Sequence, residues 1–205
     1  MARLALSKSS LSKQQTQLKT FERFLPSLDL KRRQLMGVRN KAIRQLAQTH
    51  EEIAQYTDQL GERLPMVSDR EIKVSGLVTV TDVTVGKENV VGTHLPTLEH
   101  VAVAVADYPM LSKPHWVDNM VEELRVIMEL KLRAQVEQQR VRLLDAAVRT
   151  ITQRVNLFDK VLIPRAQHNI KRIKIYLSDA ERAAVINSKI SKRKNAVKDG
   201  EAVTP

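Results

Sequence analysis

From Leu11 to Leu60 the sequence repeats with a period of seven. With Leu11 at position a, the a sites are Leu11, Leu18, Leu25, Arg32, Arg39, Leu46, Ile53 and Leu60. The d sites are Gln14, Phe21, Leu28, Leu35, Ala42, Thr49 and Tyr56. Eleven of these fifteen are apolar, against 42% of the chain as a whole. A 3.5-residue period held this long predicts a coiled coil rather than one helix lying on a sheet. Arg32 and Arg39 depart from an ideal seam, and Pro26 predicts a kink or local break near "FLPSLD".

A second seam runs from Trp116 to about Lys194. Its a sites are Met120, Ile127, Ala134, Val141, Val148, Val155 and Leu162, and its d sites are Glu123, Leu130, Glu137, Leu144, Ile151 and Phe158. Beyond Leu162 the apolar residues move to Ala166, Ile170, Ile173 and Leu177, so the step from 162 to 166 is four where the heptad asks for three. Such a stutter unwinds the supercoil locally, and Pro164 falls inside it as an expected helix kink. The expected core comprises Leu18, Leu25, Leu28, Leu35, Leu46 and Ile53 from the first helix. The second contributes Ile127, Val141, Leu144, Val148, Ile151, Val155, Phe158 and Leu162.

The residues between the seams change character. "EIKVSGLVTVTDVTVGKENVVG" is rich in Val and Thr, is punctuated by Gly76, Gly86 and Gly92, and predicts short strands or a hairpin, with "GKEN" as a possible turn. "HLPTLEHVAVAVADYPMLSKPHW" holds three prolines and excludes one continuous helix. The expected organisation is therefore an N-terminal helix over 1–60, a central β-containing insert over 61–115, a C-terminal helix over 116–194 and a frayed tail over 195–205. The fold class is mostly α: a long antiparallel two-helix coiled coil with a small hairpin-bearing insert. At 1.5 Å per residue the helices run to roughly 75 and 115 Å, with the two termini at one end. Only 3% of residues are aromatic, which suits extended helix pairing better than a compact core.

Charge and chemistry narrow the function. The net charge of +11 divides as +6 over residues 1–60, −2 over 61–115 and +7 over 116–205, so the basicity belongs to the helices. No cysteine is present, which excludes disulfides and thiolate metal sites. The five histidines (His50, His94, His100, His115 and His168) lack zinc-site spacing, and "VGKEN" lacks the glycines of a phosphate loop. Glu51-Glu52 and Glu122-Glu123 lie on helices where charge meets water, and His94, Glu99 and His100 read as a solvated group. No catalytic, cofactor or metal site is expected. No apolar run approaches a membrane span, and "MARLALSKSSLSKQQ" lacks a signal peptide's apolar centre. The arginines along the second helix (Arg140, Arg142, Arg149, Arg154, Arg165) have no interleaved aromatics for base stacking. Direct nucleic-acid binding is correspondingly disfavoured; pairing with i+4 acids or with a partly acidic protein surface accounts for them better.

The C-terminal stretch "QRVNLFDKVLIPRAQHNIKRIKIYLSDAERAAVINSKISKRK" resembles that of the D subunit of V-type and archaeal-type rotary ATPases. Arg154, Val155 and Asn156 match one motif, Ile163-Pro164 a second, Ile170 and Ile173 a third, and Glu181-Arg182 with Lys189 and Lys192 a fourth. "LKRRQLM" (Leu30 to Met36) is similar to the family's N-terminal basic segment. Gln153, the Leu157-Phe158-Asp159 run and Pro26 depart from the pattern. The resemblance is strongest over 150–193 and moderate over 11–60; over the insert it rests on position and length.

The resemblance implies a non-catalytic central rotor shaft. Such a shaft links an ATP-hydrolysing or ATP-synthesising ring of A and B subunits to a proton- or sodium-translocating membrane ring. It would be cytoplasmic and touch the membrane only through the complex. Implied partners are the A and B subunits, the F subunit and the membrane-proximal funnel subunit (C/d). Arg154, Asn156, Arg165, Lys171, Arg172, Lys189 and Lys192 would face the catalytic hexamer. Two other readings fit a basic helical hairpin, namely the stalk of a protein-export ATPase and a coiled coil that binds nucleic acid. The β-rich insert argues against the first.

Overall fold

The computed structural model describes residues 4–63, 76–106 and 116–201, with side chains to residue 195. Helix α1 spans Lys8–Arg63, strands β1 and β2 span Val78–Val90 and Thr93–Val105, and helix α2 spans Trp116–Leu157. A five-residue π-helical turn, Phe158–Leu162, leads into helix α3, Ile163–Glu201. The helices and the antiparallel hairpin between them are the mostly-α architecture expected from the two seams. Ser7 starts α1: its carbonyl accepts from Leu11 N–H and its Oγ accepts from Ser10 N–H at 3.2 Å.

The chain divides into two compact units. Residues 31–151 form the first. Here α1 and α2 run antiparallel, since ascending positions on α1 meet descending ones on α2: Arg39 with Asp145, Thr49 with Glu137, Tyr56 with Glu123. Leu35, Ala42, Ile127, Ala134, Leu144 and Ile151 are buried, with Leu46, Ile53, Val141 and Val148 half-buried beside them. The hairpin is anchored at its base, where Leu77 and Val78 pack with Trp116, Val117, Met120 and Val121. Ala106 N–H closes that base on the Leu77 carbonyl at 2.8 Å.

The turn lies at Val91-Gly92 rather than at "GKEN", whose four residues belong to β1 and pair with Thr97, Pro96, Leu95 and His94. Both turn residues have positive φ, 52° and 77°, as a two-residue hairpin loop demands. Two bulges set the register. Thr81 is the extra residue on β1, between the Val80↔Val103 and Asp82↔Ala102 pairs. Glu99 is the extra one on β2, between Thr84↔His100 and Val85↔Leu98, and its carboxylate folds over Gly86. A Cβ at Gly86 would meet this carboxylate, the mobile end of an exposed side chain that can swing aside.

Residues 1–30 with 152–205 form the second unit. Its helices are antiparallel too. The Phe21 and Phe158 rings meet edge to face at 5.5 Å, and Asn169 Nδ2 donates to Gln14 Oε1 at 3.3 Å. Val155, Ala166 and Ile173 are buried, and Leu18, Leu25, Leu28, Phe158 and Leu162 half-buried.

The expected break at Pro26 is absent, because α1 passes through it without interruption. Pro26 is exposed, so the carbonyl left without its N–H faces solvent and water can replace the missing donor. Near Pro164, itself exposed, the departure from α-helix precedes the proline: Ile163 N–H donates to the Phe158 carbonyl, five residues back.

Candidate interaction surface

The acidic pairs and strand histidines that could have suggested catalysis are engaged in the fold or face water. Glu123 accepts from Tyr56 OH and pairs with Arg63 at 3.6 Å. Glu51 and Glu52 accept from Gln55 and Gln48 one helical turn away. His94 and His100 sit on β2, exposed, opposite Asn89 and Thr84. Among the described residues no group of three His, Asp or Glu could hold a metal. Among the described residues one titratable group is clearly perturbed. The Tyr56 hydroxyl is held above its ordinary pKa, chiefly because it donates to Glu123, then by burial and the Glu123 charge, with Arg63 opposing.

The cations divide by what they touch. Arg39, in the seam, is paired to Asp145. Arg140 is a clamp: its guanidinium reaches Glu88 at 2.8 Å, Thr97 Oγ1 at 3.3 Å and the Pro96 carbonyl at 3.4 Å, holding β2 against α2. That commits Arg140 to the fold. The candidate contact residues Arg154, Asn156, Arg165, Lys171, Arg172, Lys189 and Lys192 are all exposed, and all belong to the second unit.

Sequence reasoning missed what lies beyond them. Gln14 meets Asn169, so α3 passes the start of α1 at about residue 175 by the 1.5 Å rise common to both helices. From Ser178 to Asn195 every residue is exposed, Val185 by 56%, Ile186 by 57% and Ile190 by 48%. At 100° per residue, Arg182, Val185, Ile186, Lys189, Ile190 and Arg193 share one face of this helix, which no other helix among the described residues accompanies. On that face Lys189, Arg182 and Arg193 lie between Val185 on one side and Ile186 and Ile190 on the other, so cationic and apolar groups interleave. Water does not stabilise such apolar groups; a partner surface that offers apolar contacts beside acidic groups does. The signal available in the sequence was the mismatch between an α1 that begins near residue 8 and a C-terminal seam that continues past Leu177.

Comparison with known proteins agrees with this architecture. The family model for the D subunit of ATP synthase matches residues 10–193. The chain is similar to the V-type ATP synthase D subunit of Borreliella burgdorferi, 34% identical over 201 residues, covering 94% of this chain and 95% of that protein. It is also similar to the V-type ATP synthase D subunits of Chlamydia abortus (30% identical, 94% of each chain) and Chlamydia muridarum (29% identical, 94% of this chain and 96% of that one).

Proposed function

This chain belongs to the ATP synthase D-subunit family, and from that premise we propose how it works as the non-catalytic stalk component of a V-type rotary ATPase. Residues 1–60 and 116–194 form the shaft, 61–115 the insert and 195–205 the tail. The shaft carries torque between a catalytic hexamer of A and B subunits and an ion-translocating membrane ring, and it also binds the F subunit and the funnel subunit. Family membership decides against the export-stalk and nucleic-acid readings. The chain reaches the membrane through its complex; no helix among the described residues is long and apolar enough to cross one.

The observation that carries this reading is the run of exposed residues from Ser178 to Asn195, accompanied by no other helix among the described residues. A shaft must engage its bearing without being locked to one orientation. Apolar side chains interleaved with cations meet that need, because each contact is modest and can form in several orientations. Unequal contacts with three surrounding A–B pairs favour a different conformation in each, and differential binding of this kind is how rotation and nucleotide state become coupled.

The test is reconstitution. Full-length chain should co-purify with the F subunit and an A–B hexamer irrespective of nuclease treatment. A chain ending at Leu177 should keep its helical pairing and bind the F subunit, yet fail to couple ATP hydrolysis to ion movement. Full coupling by the shortened chain would overturn the reading.

A further inference from the structure

An unbroken heptad continuing from Leu162 would place Arg165, Asn169, Arg172 and Tyr176 in the seam facing α1. Burying two guanidinium groups there without partners is prohibitive. The observed seam is instead Ala166 and Ile173, both buried, with Ile170 and Leu177 half-buried, while Arg165, Arg172 and Tyr176 are exposed. One surplus residue therefore has to be absorbed near residue 162. A π turn does this: five residues occupy the arc that an α-helix fills with about four. The structure has such a turn at Phe158–Leu162, and nowhere else among the described residues. The Ile163 N–H makes its five-back hydrogen bond to Phe158, and the next residue, Pro164, has no N–H to leave unpaired where the pattern reverts to α.

We propose that the Phe158–Leu162 turn is a phase-setting insertion. It turns Arg165 and Arg172 outward and Ala166 and Ile173 inward, and Pro164 caps the insertion without causing it. The number of residues sets the phase. Removing Pro164 changes the core spacing from Val155 onward, through Phe158, Leu162, Ala166, Ile170, Ile173 and Leu177, to three, four, three, four, three, four, which is an uninterrupted heptad. The same side chains would then face α1 along an ordinary helix. One consequence rests on the shaft reading: the insertion makes Arg165 and Arg172 available to an acidic partner surface.

Because the chain contains no cysteine, single cysteines placed at 165, 166, 172 or 173 in the full chain report the phase by thiol labelling. Positions 165 and 172 should label rapidly, and 166 and 173 at least about tenfold more slowly, since labelling there requires local opening. Pro164→Ala should preserve this pattern. Deleting Pro164 should also preserve it, with a Tm within about 3 °C of the parent. Inserting an alanine after Ile163 adds a second surplus residue and should lower the Tm by about 10 °C or more, given about 2–4 °C per kcal/mol for a chain of this size. Exchange of the fast and slow positions in Pro164→Ala would assign the phase to the proline and overturn the proposal. So would a deletion as costly as the insertion, or an insertion that costs nothing. None of these readouts depends on the ATPase. A separate measurement, hexamer binding by Arg165→Glu/Arg172→Glu, tests the consequence alone.

Discussion

Tyr56 and Glu123 occupy d positions on facing helices, and Thr49 and Glu137 do the same. Such polar pairs contribute little net stability, but they penalise a slipped register, in which each buried or half-buried group would lose its partner. Thr49 is 1% exposed, and its hydroxyl donates to Glu137 at 2.8 Å with the Gln45 carbonyl as the alternative acceptor at 3.1 Å. Thr49→Val keeps the volume but leaves Glu137 with Arg133 alone, and should cost about 1–2 kcal/mol in urea unfolding. Thr49→Val combined with Glu137→Leu should recover most of that loss; a double variant no better than the single one would show that the hydroxyl, not the orphaned carboxylate, matters.

Tyr56 adds a pH signature. Its pKa is raised in the folded chain, so folding favours the protonated phenol. The associated stability is complete below the unfolded tyrosine value near 10 and is lost as pH rises through the higher folded value. Stability measured from pH 8 to 11 should fall less steeply in Tyr56→Phe than in the parent, and coincident slopes would remove Tyr56 from the account. The heptad placed all four at d sites, with Thr49, Glu123 and Glu137 legible as polar and Tyr56 counted among the apolar ones. Their pairing was not legible, because the register between two helices depends on where the insert returns the chain.

The hairpin and the π turn show what is legible at the level of elements. Alternating Val and Thr pointed to strands, and Gly and Asn in "GKEN" looked like a turn, yet the chain turns at Val91-Gly92. Local composition does not separate the two. The outcome depends on non-local packing: Leu95 is fully buried, and Arg140 grips Glu88, Pro96 and Thr97, which fixes where β1 must end. The cost is a β-branched residue at φ 52°, a conformation disfavoured by about 1 kcal/mol or more. Val91→Asn creates the Asn-Gly pair preferred in such loops and should stabilise the hairpin by about 0.5–1 kcal/mol. Slower amide exchange in β1 and β2 would register the gain, whereas faster exchange would mean that the half-buried Val91 side chain contributes more by packing than its backbone loses.

Across the whole molecule, apolar periodicity carries two meanings that sequence alone does not separate. Leu35 and Leu144 are apolar because another helix of this chain covers them. Val185, Ile186 and Ile190 continue the helix and are covered by no other helix among the described residues. Sequence reasoning favours the conspicuous cations over them as contact residues, because an apolar residue on a helix reads first as core. Whether it is core depends on how far the opposite helix reaches, and α1 begins at Lys8. The distinction can be measured. In the isolated chain Val185→Ser/Ile186→Ser/Ile190→Ser removes no internal packing, so the Tm should stay within about 2 °C of the parent. In the assembly each half-exposed side chain has about 1 kcal/mol of burial still to gain at ~25 cal/mol per Å². Together that is about 3 kcal/mol, or roughly a hundredfold in affinity for the catalytic hexamer. Added salt should weaken the cationic contacts and leave the apolar ones unaffected. The triple variant's deficit should therefore persist at high ionic strength, while that of Arg182→Gln/Lys189→Gln/Arg193→Gln should shrink. A triple serine variant that binds the hexamer as tightly as the parent would remove the apolar side chains from the bearing and leave only its charges.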